Sequence, residues 1–390
     1  MATLLMLSPA PAIEVPGNEL VLDSRFVAGM ELHCQLWPGR VVTVLRRGAA
    51  GIPDGLRYTR ARLPFQVVLL EPDAPLPETL LISATLVYCA LDDMQFLPLA
   101  EKMTGRAGRL VYTVEQSFSE RLALARDPAL GLRRRLGRLL WALRNERGFR
   151  AALGAADGVH LNGAAAAAAY GRLNPRTLTY LDNRIRQPLL ARADDQAARA
   201  ARLRAGAPLK MVAPGPLTHA AGAMELLDVA DRLASWEIDF TLSYLGHGPL
   251  ATALQEGIIA RGLADRVRLE LPGAFEAALL PRLRKETDLV VMPSHLPEGA
   301  GSVIEAMGCG VPVLGYATPG WRRLARQSGG GWAVASRPAR MAAMIRRLDS
   351  RREMLVTASQ RGRAFAGTTT FERVFARRMA HLRELAGIDA

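Results

Sequence analysis

Short apolar runs alternate with amphipathic helical spacing twice over along this chain, and no other feature restricts its fold as strongly. In the first half Leu4–Leu7, Val41–Leu45, Phe65–Leu70, Leu80–Ala84, Arg109–Thr113, Val159–Asn162 and Thr177–Leu181 read as strands, with helical spacing between several of them, as over Leu20–Leu36. After Tyr180 the rhythm is broken by LDNRIRQPLLARADDQAARAARLRAGAP, a polar Ala/Arg-rich string bounded by prolines. A second series follows: strands at Lys210–Ala213, Phe240–Leu245, Val267–Leu271, Leu289–Met292 and Val311–Leu314, with helices at Ala223–Ala234, Leu250–Arg261 and Leu279–Lys285, and a helical tail from Phe371 to Leu385. Such alternation specifies parallel, doubly wound sheets. The expected class is therefore α/β with two Rossmann-like domains, whose strand ends leave a cleft where ligands bind.

The composition agrees. At 390 residues the chain exceeds the size one core fills, and 49% apolar residues suffice for two. Cys34, Cys89 and Cys309 form no CxxC pair and have no histidine-rich neighbourhood, which argues for a reducing compartment and against structural zinc. The opening MATLLMLSPAPA carries no Lys or Arg and is too short in its apolar run for a secretory leader, so a first strand is expected there. No window approaches about 18 uninterrupted apolar residues, so no spanning helix is expected. The net charge of +13 implies an acidic partner. Nucleic acid is disfavoured, because no recognised motif and no interleaved aromatic residues accompany the arginines.

Three turns follow strands in the second series. PGPLTHAAG (214–222) offers Gly215 and His219, and GHGP (246–249) offers Gly246 and Gly248. The third, EGAGSVIEAMGCGVPV (298–313), is the most informative. Gly299 and Gly301 remove side chains where a ligand would approach, while Ser302, Val303 and Ile304 present N–H groups at a helix start, a place for a phosphate. Glu298 and Glu305 suit hydroxyl groups on either side of it. Ser302-x-x-Glu305 also reads as a capping box.

The succession of these turns, with TDLVVMPS (287–294) and TYLDNRI (179–185), resembles the C-terminal domain of family 4-like glycosyltransferases of the GT-B fold, two Rossmann-like domains facing each other across a cleft. The likeness is specific over 177–335. It implies an N-terminal acceptor domain (1–185), a linker (186–208), a nucleotide-sugar domain (209–365) and a C-terminal helix (366–390) that crosses back. It further implies retaining transfer from a nucleotide-diphosphate sugar with no metal and no cofactor. Glu298 would hold the donor sugar, Gly299, Ala300, Gly301, Ser302 and Val303 would offer backbone to sugar and diphosphate, and Glu305 would bind the ribose. Gly246, Gly248 and the Leu271–Gly273 turn would line the nucleotide side.

The sequence departs from that pattern twice. Six residues separate Glu298 from Glu305 where the family has seven. Pro216 and Ala221 stand where the family carries an Arg and a Lys that clamp the diphosphate, and fixed donors there stabilise the charge developing on the leaving group. His219, Arg184, Arg186, Arg322 and Arg323 are the candidates to replace them. In the first domain Gly17, in the turn after the first strand, would face the diphosphate, and Glu115 stands as a catalytic candidate near the acceptor. Asp92-Asp93 reads as an acidic pair at a helix start rather than as metal ligands.

Residues 121–150 hold nine arginines against two acids. Leu132, Leu136, Leu139, Leu140 and Leu143 share a helical face, with Trp141 at its margin. Such a helix suits an anionic membrane surface, or packs its apolar face into the core. The resulting expectation is a cytoplasmic transferase, peripheral on the inner membrane face, that builds a surface polysaccharide or glycolipid on a glycan or lipid-linked acceptor. The alternative is a catalytically lapsed relative that binds nucleotide or glycan as a partner.

Overall fold

The computed structural model describes residues 2–48, 51–52, 55–126, 130–296 and 300–388. The chain divides into two compact units. The first comprises Met1–Phe118, Leu140–Tyr180 and Glu372–Ala390, and the second Ser119–Leu139 and Leu181–Phe371.

The first unit is built on β1 (Ala2–Val15), β2 (Glu19–Asp23), β3 (Gly39–Arg47), β4 (Gly55–Thr59), β5 (Gln66–Leu70), β6 (Leu86–Ala90), β7 (Arg109–Val114), β8 (Gly158–Asn162) and β9 (Thr177–Tyr180). Seven of these run parallel in the order β5-β3-β1-β6-β7-β8-β9. Both faces are covered, which is why the strands read as unbroken apolar runs. Leu5, Leu7, Val42, Val87 and Tyr112 enter one core, and Leu4, Met6, Val41, Leu86 and Val111 the other. The Phe371–Leu385 helix returns to this unit and buries Met379, Leu382 and Leu385 in the second of those cores.

Three expectations need correction here. Leu80–Ser83 belong to a helix, Glu78–Ser83, with Pro77 as N-cap and Ala84 as C-cap; the strand lies just beyond, at β6. Helical spacing over Leu20–Leu36 begins only at Ser24, because Asp23 caps the helix through bonds from the Arg25 and Phe26 amides at 2.7 and 3.2 Å. Glu19–Asp23 instead forms β2, which runs antiparallel to β1 and to β4, so the sheet is not purely parallel.

The second unit holds β10 (Leu209–Pro214), β11 (Phe240–Leu245), β12 (Val267–Glu270), β13 (Leu289–Met292), β14 (Val313–Tyr316) and β15 (Gly331–Val334). All six are parallel, in the order β12-β11-β10-β13-β14-β15. Numbered within the unit this is 3-2-1-4-5-6, the doubly wound order whose direction reverses between its first and fourth strands. Within 186–208, assigned above to a linker, Ala193–Arg204 is a helix packed into this unit. Its Arg199 is 2% exposed and donates to the carbonyls of Thr287, Gly310, Leu283, Arg284 and Cys309 at 2.6–3.3 Å. Burial lowers its pKa to about 10, so it stays charged and fastens the ends of two helices.

Candidate active site

In a sheet of this order ligands bind beyond the carboxyl ends of the strands at the reversal point, here β10 and β13. The turn after β10 is held by its neighbours. Gly215 N donates to Leu245 O at 3.0 Å, Leu217 N to His247 O at 3.0 Å, and Leu250 N to Leu217 O at 3.1 Å. A side chain at Gly246 would stand 1.9 Å from Gly215 O, and one at Gly248 2.5 Å from Leu217 O. These two glycines therefore let one turn close onto another. Gly222 has φ 72, and a Cβ there would lie 2.2 Å from Pro293 O. His295 N donates to Ala220 O at 3.0 Å, pinning the segment after β13 to the same turn.

Beside this junction a polar cluster forms that the sequence alone does not reveal. Glu225, in the first turn of the Ala223–Ser235 helix, accepts from the Tyr316 hydroxyl at 2.6 Å through Oε2, while its Oε1 pairs with His295 Nε2. Burial and the Glu225 carboxylate push the Tyr316 phenol well up, so it remains a donor. The His295 and Tyr316 rings lie 5.1 Å apart. His219 projects from the turn into solvent, as does Pro216.

The next element is the Ala300–Gly308 helix. Glu298 and Gly299 lie outside the described residues, and Ala300 is described only as helical backbone. Ser302 is the third residue of the helix and not its cap, so the capping-box reading fails. Ser302 is exposed, whereas Val303 is buried and has only its backbone to offer a ligand. A Cβ on Gly301 would stand 3.1 Å from Asp182 O, so this glycine admits the chain entering the second unit. Glu305 is buried and held by Arg184: Oε1 accepts from the Arg184 amide and Nε, each at 3.0 Å, and Oε2 from Nη2 at 3.4 Å. The guanidinium lies 3.7 Å from the Phe275 ring centre. A carboxylate has about four acceptor positions, so Glu305 keeps room on Oε2 for a ligand hydroxyl. Arg186 lies 5.6 Å from the Phe371 ring centre, and Arg322 donates to Ala317 O at 3.3 Å. Arg323 is exposed.

In the first unit, Glu115 projects just past the end of β7. Its Oε1 accepts from Tyr180 at 2.6 Å and its Oε2 from Asn162 at 2.5 Å, so the carboxylate is aimed by residues of β8 and β9. Asp92 accepts from the Glu115 and Gln116 amides, and Asp93 caps a short turn, accepting from Gln95 N at 3.3 Å. Behind Glu115 a chain of buried polar groups runs inward. Thr113 meets the Tyr180 hydroxyl at 2.8 Å, and Arg378 lies 4.4 Å from the Tyr180 ring centre while donating to the Tyr88 hydroxyl at 3.1 Å. His160 meets Tyr88 at 3.0 Å and His381 at 2.9 Å. Arg378 only donates, so the Tyr88 proton is directed to His160 Nδ1, and the His160 Nε2 proton to His381. Gly17 and Asn18 both have positive φ in the hairpin between β1 and β2, a turn that accounts for the glycine by itself.

Residues 194–365 match the model of the family described as "Glycosyl transferases group 1". The match lies within the second unit. Curated relatives are similar to part of the chain. One is the 2-deoxystreptamine N-acetyl-D-glucosaminyltransferase of Streptomyces fradiae, 34% identical over 110 residues that cover 28% of this chain and 26% of the relative. Another is the D-inositol 3-phosphate glycosyltransferase of Salinispora tropica, 34% identical over 164 residues, 40% of this chain and 32% of the relative. The matches thus span about a quarter to a third of these relatives' own length. Anabaena Alr3699/HepE, solved in complex with UDP, shares the fold across both units, with a TM-score of 0.68 at 15% identity over 98% of this chain and 100% of that one. The two Rossmann-like units therefore follow the GT-B fold.

Proposed function

We propose that the chain transfers a sugar from a nucleoside-diphosphate sugar to a hydroxyl of a glycan or lipid-linked acceptor, with retention at the anomeric carbon and without a metal ion. The observation that carries this reading is the convergence of the Gly215–Gly222 turn and the Ala300–Gly308 helix on the reversal point of a group 1 glycosyltransferase sheet. UDP in the HepE structure supports a nucleotide as the ligand.

In the proposed reaction the bond between anomeric carbon and diphosphate oxygen breaks, the acceptor oxygen bonds to that carbon on the same face, and the acceptor proton passes to the departing diphosphate. The amides of residues 300–303 face the diphosphate, where the helix dipole offsets the growing negative charge. Glu305 takes a ribose hydroxyl through Oε2, and Glu298 the donor sugar's hydroxyls. Glu115 orients the acceptor hydroxyl, its own two oxygens fixed by Tyr180 and Asn162.

A lipid-linked acceptor at an anionic membrane surface is favoured by the Leu132–Ala155 helix. Leu132, Leu136, Leu140, Trp141 and Leu143 are all exposed among the arginines, and the helix enters the core only through Ala142, Phe149, Ala152 and Leu153. The core-packed alternative therefore fails for its N-terminal half. No described helix is long and apolar enough to cross a membrane.

The test is incubation with UDP-, GDP-, ADP- and dTDP-sugars and membrane extract, following nucleotide release and the anomeric configuration of the product. Release with an α-linked product from an α-linked donor is expected. Tight nucleotide binding with neither hydrolysis nor transfer would favour the lapsed relative.

A further inference from the structure

We propose that His295, as an imidazolium held by Glu225 and Tyr316, supplies the cationic contact to the donor's diphosphate that Pro216 and Ala221 lack. This rests on the nucleotide-sugar reading above and names a residue for the same site.

Four observations converge. His295 stands three residues beyond β13, on the strand where the sheet order reverses, and its amide is bonded to Ala220, the neighbour of Ala221. The second unit thus brings an ionisable side chain to the turn that carries Pro216 and Ala221. Its ring is also oriented. Nε2 points at Glu225, whose other oxygen is fixed by Tyr316, and Tyr316 is itself only 1% exposed at the end of β14. The Tyr316 hydroxyl also feels Asp228, one turn along the Glu225 helix, so the groups around the ring are carboxylates and a phenol. Finally, Nδ1 has no hydrogen-bond partner among the described residues, and the side chain is 39% exposed.

An imidazolium donates from both nitrogens. With Nε2 committed to Glu225, the Nδ1 proton is free for a phosphate oxygen. The neutral ring, donating through Nε2, would instead turn a lone pair toward that oxygen. Other cations near the turn are less suited. Arg184 is tied to Glu305, and Arg186 lies against Phe371. His219 is exposed, and no hydrogen bond among the described residues orients its ring.

The experiment is titration calorimetry with UDP, GDP, ADP and dTDP, each beside its monophosphate, on the wild-type chain, H295Q and H295K. For the best-bound nucleotide, H295Q is expected to weaken the diphosphate about tenfold, the worth of one charge-assisted hydrogen bond, while leaving the monophosphate within about twofold. H295K, which keeps a cation, should recover most of the loss. Unchanged diphosphate affinity in H295Q, an equal loss for mono- and diphosphate, or H295K as weak as H295Q would each overturn the assignment. A wild-type chain that binds none of the four diphosphates would overturn the donor reading itself.

Discussion

Acid should destabilise the first unit through His33, and replacing that residue by leucine should remove a defined part of the effect. His33 is 4% exposed, its Nδ1 lies 2.8 Å from Gly29 O, and its Nε2 has no partner among the described residues. Burial, reinforced by the Arg378 charge, lowers its pKa from 6.5 to about 3. Because the folded value lies below the unfolded one, the unfolded chain takes up the proton first. The contribution is whole above pH 6.5 and is lost progressively as pH falls toward 3. Between pH 7.5 and 5 this amounts to about 2 kcal/mol, from 1.36 kcal/mol per unit of pKa difference. His160 is depressed in the same direction by burial and then by Arg378, and adds to the wild-type sensitivity. Urea unfolding at the two pH values, followed through the transition that exposes the buried Trp37, should show His33→Leu losing about 2 kcal/mol less than the wild type on acidification. Equal acid losses in the two proteins would refute the reasoning.

Arg199→Met should destabilise the second unit by about 3–5 kcal/mol, because five carbonyls lose their shared donor; a urea midpoint within error of wild type would count against this. Gly222→Ala should abolish nucleotide binding or folding, since its Cβ would meet Pro293 O at 2.2 Å in a left-handed conformation; calorimetry and circular dichroism report which. Tyr180→Phe should lower transfer about tenfold while leaving nucleotide affinity unchanged, because it removes one of the two bonds that aim Glu115 and lies in the first unit; steady-state kinetics beside calorimetry test this. Replacing Leu136, Leu140 and Leu143 by serine should abolish co-sedimentation with anionic liposomes at low salt, and retained binding would remove the membrane proposal.

Much of the fold was legible because parallel strands buried on both faces read as plain apolar runs. Leu4–Leu7 and Leu289–Met292 were visible in this way, and the Phe371–Leu385 helix through its amphipathic spacing. Leu80–Ala84 misled because an apolar run of five fits a buried helix turn as well as a strand. β15, only four residues with a glycine at its start, carries too little pattern to stand out. The Ala193–Arg204 helix looked like a linker because an arginine-rich string is normally solvated, whereas here Arg199 turns inward to carbonyls more than eighty residues away. The candidate site was legible in its backbone. The Gly215, Gly246 and Gly248 turns and the Ala300–Gly308 helix follow local spacing. Its side-chain partners were not: Arg184 meets Glu305 across 121 positions, and His295 meets Glu225 across 70.

Amide hydrogen exchange with and without the best-bound nucleoside diphosphate tests the central claim most directly, because the claim concerns main-chain groups. The account predicts added protection at residues 215–222 and 300–304, with the Leu132–Ala155 helix unaffected. Binding that protects neither segment, or only the first unit, would contradict it.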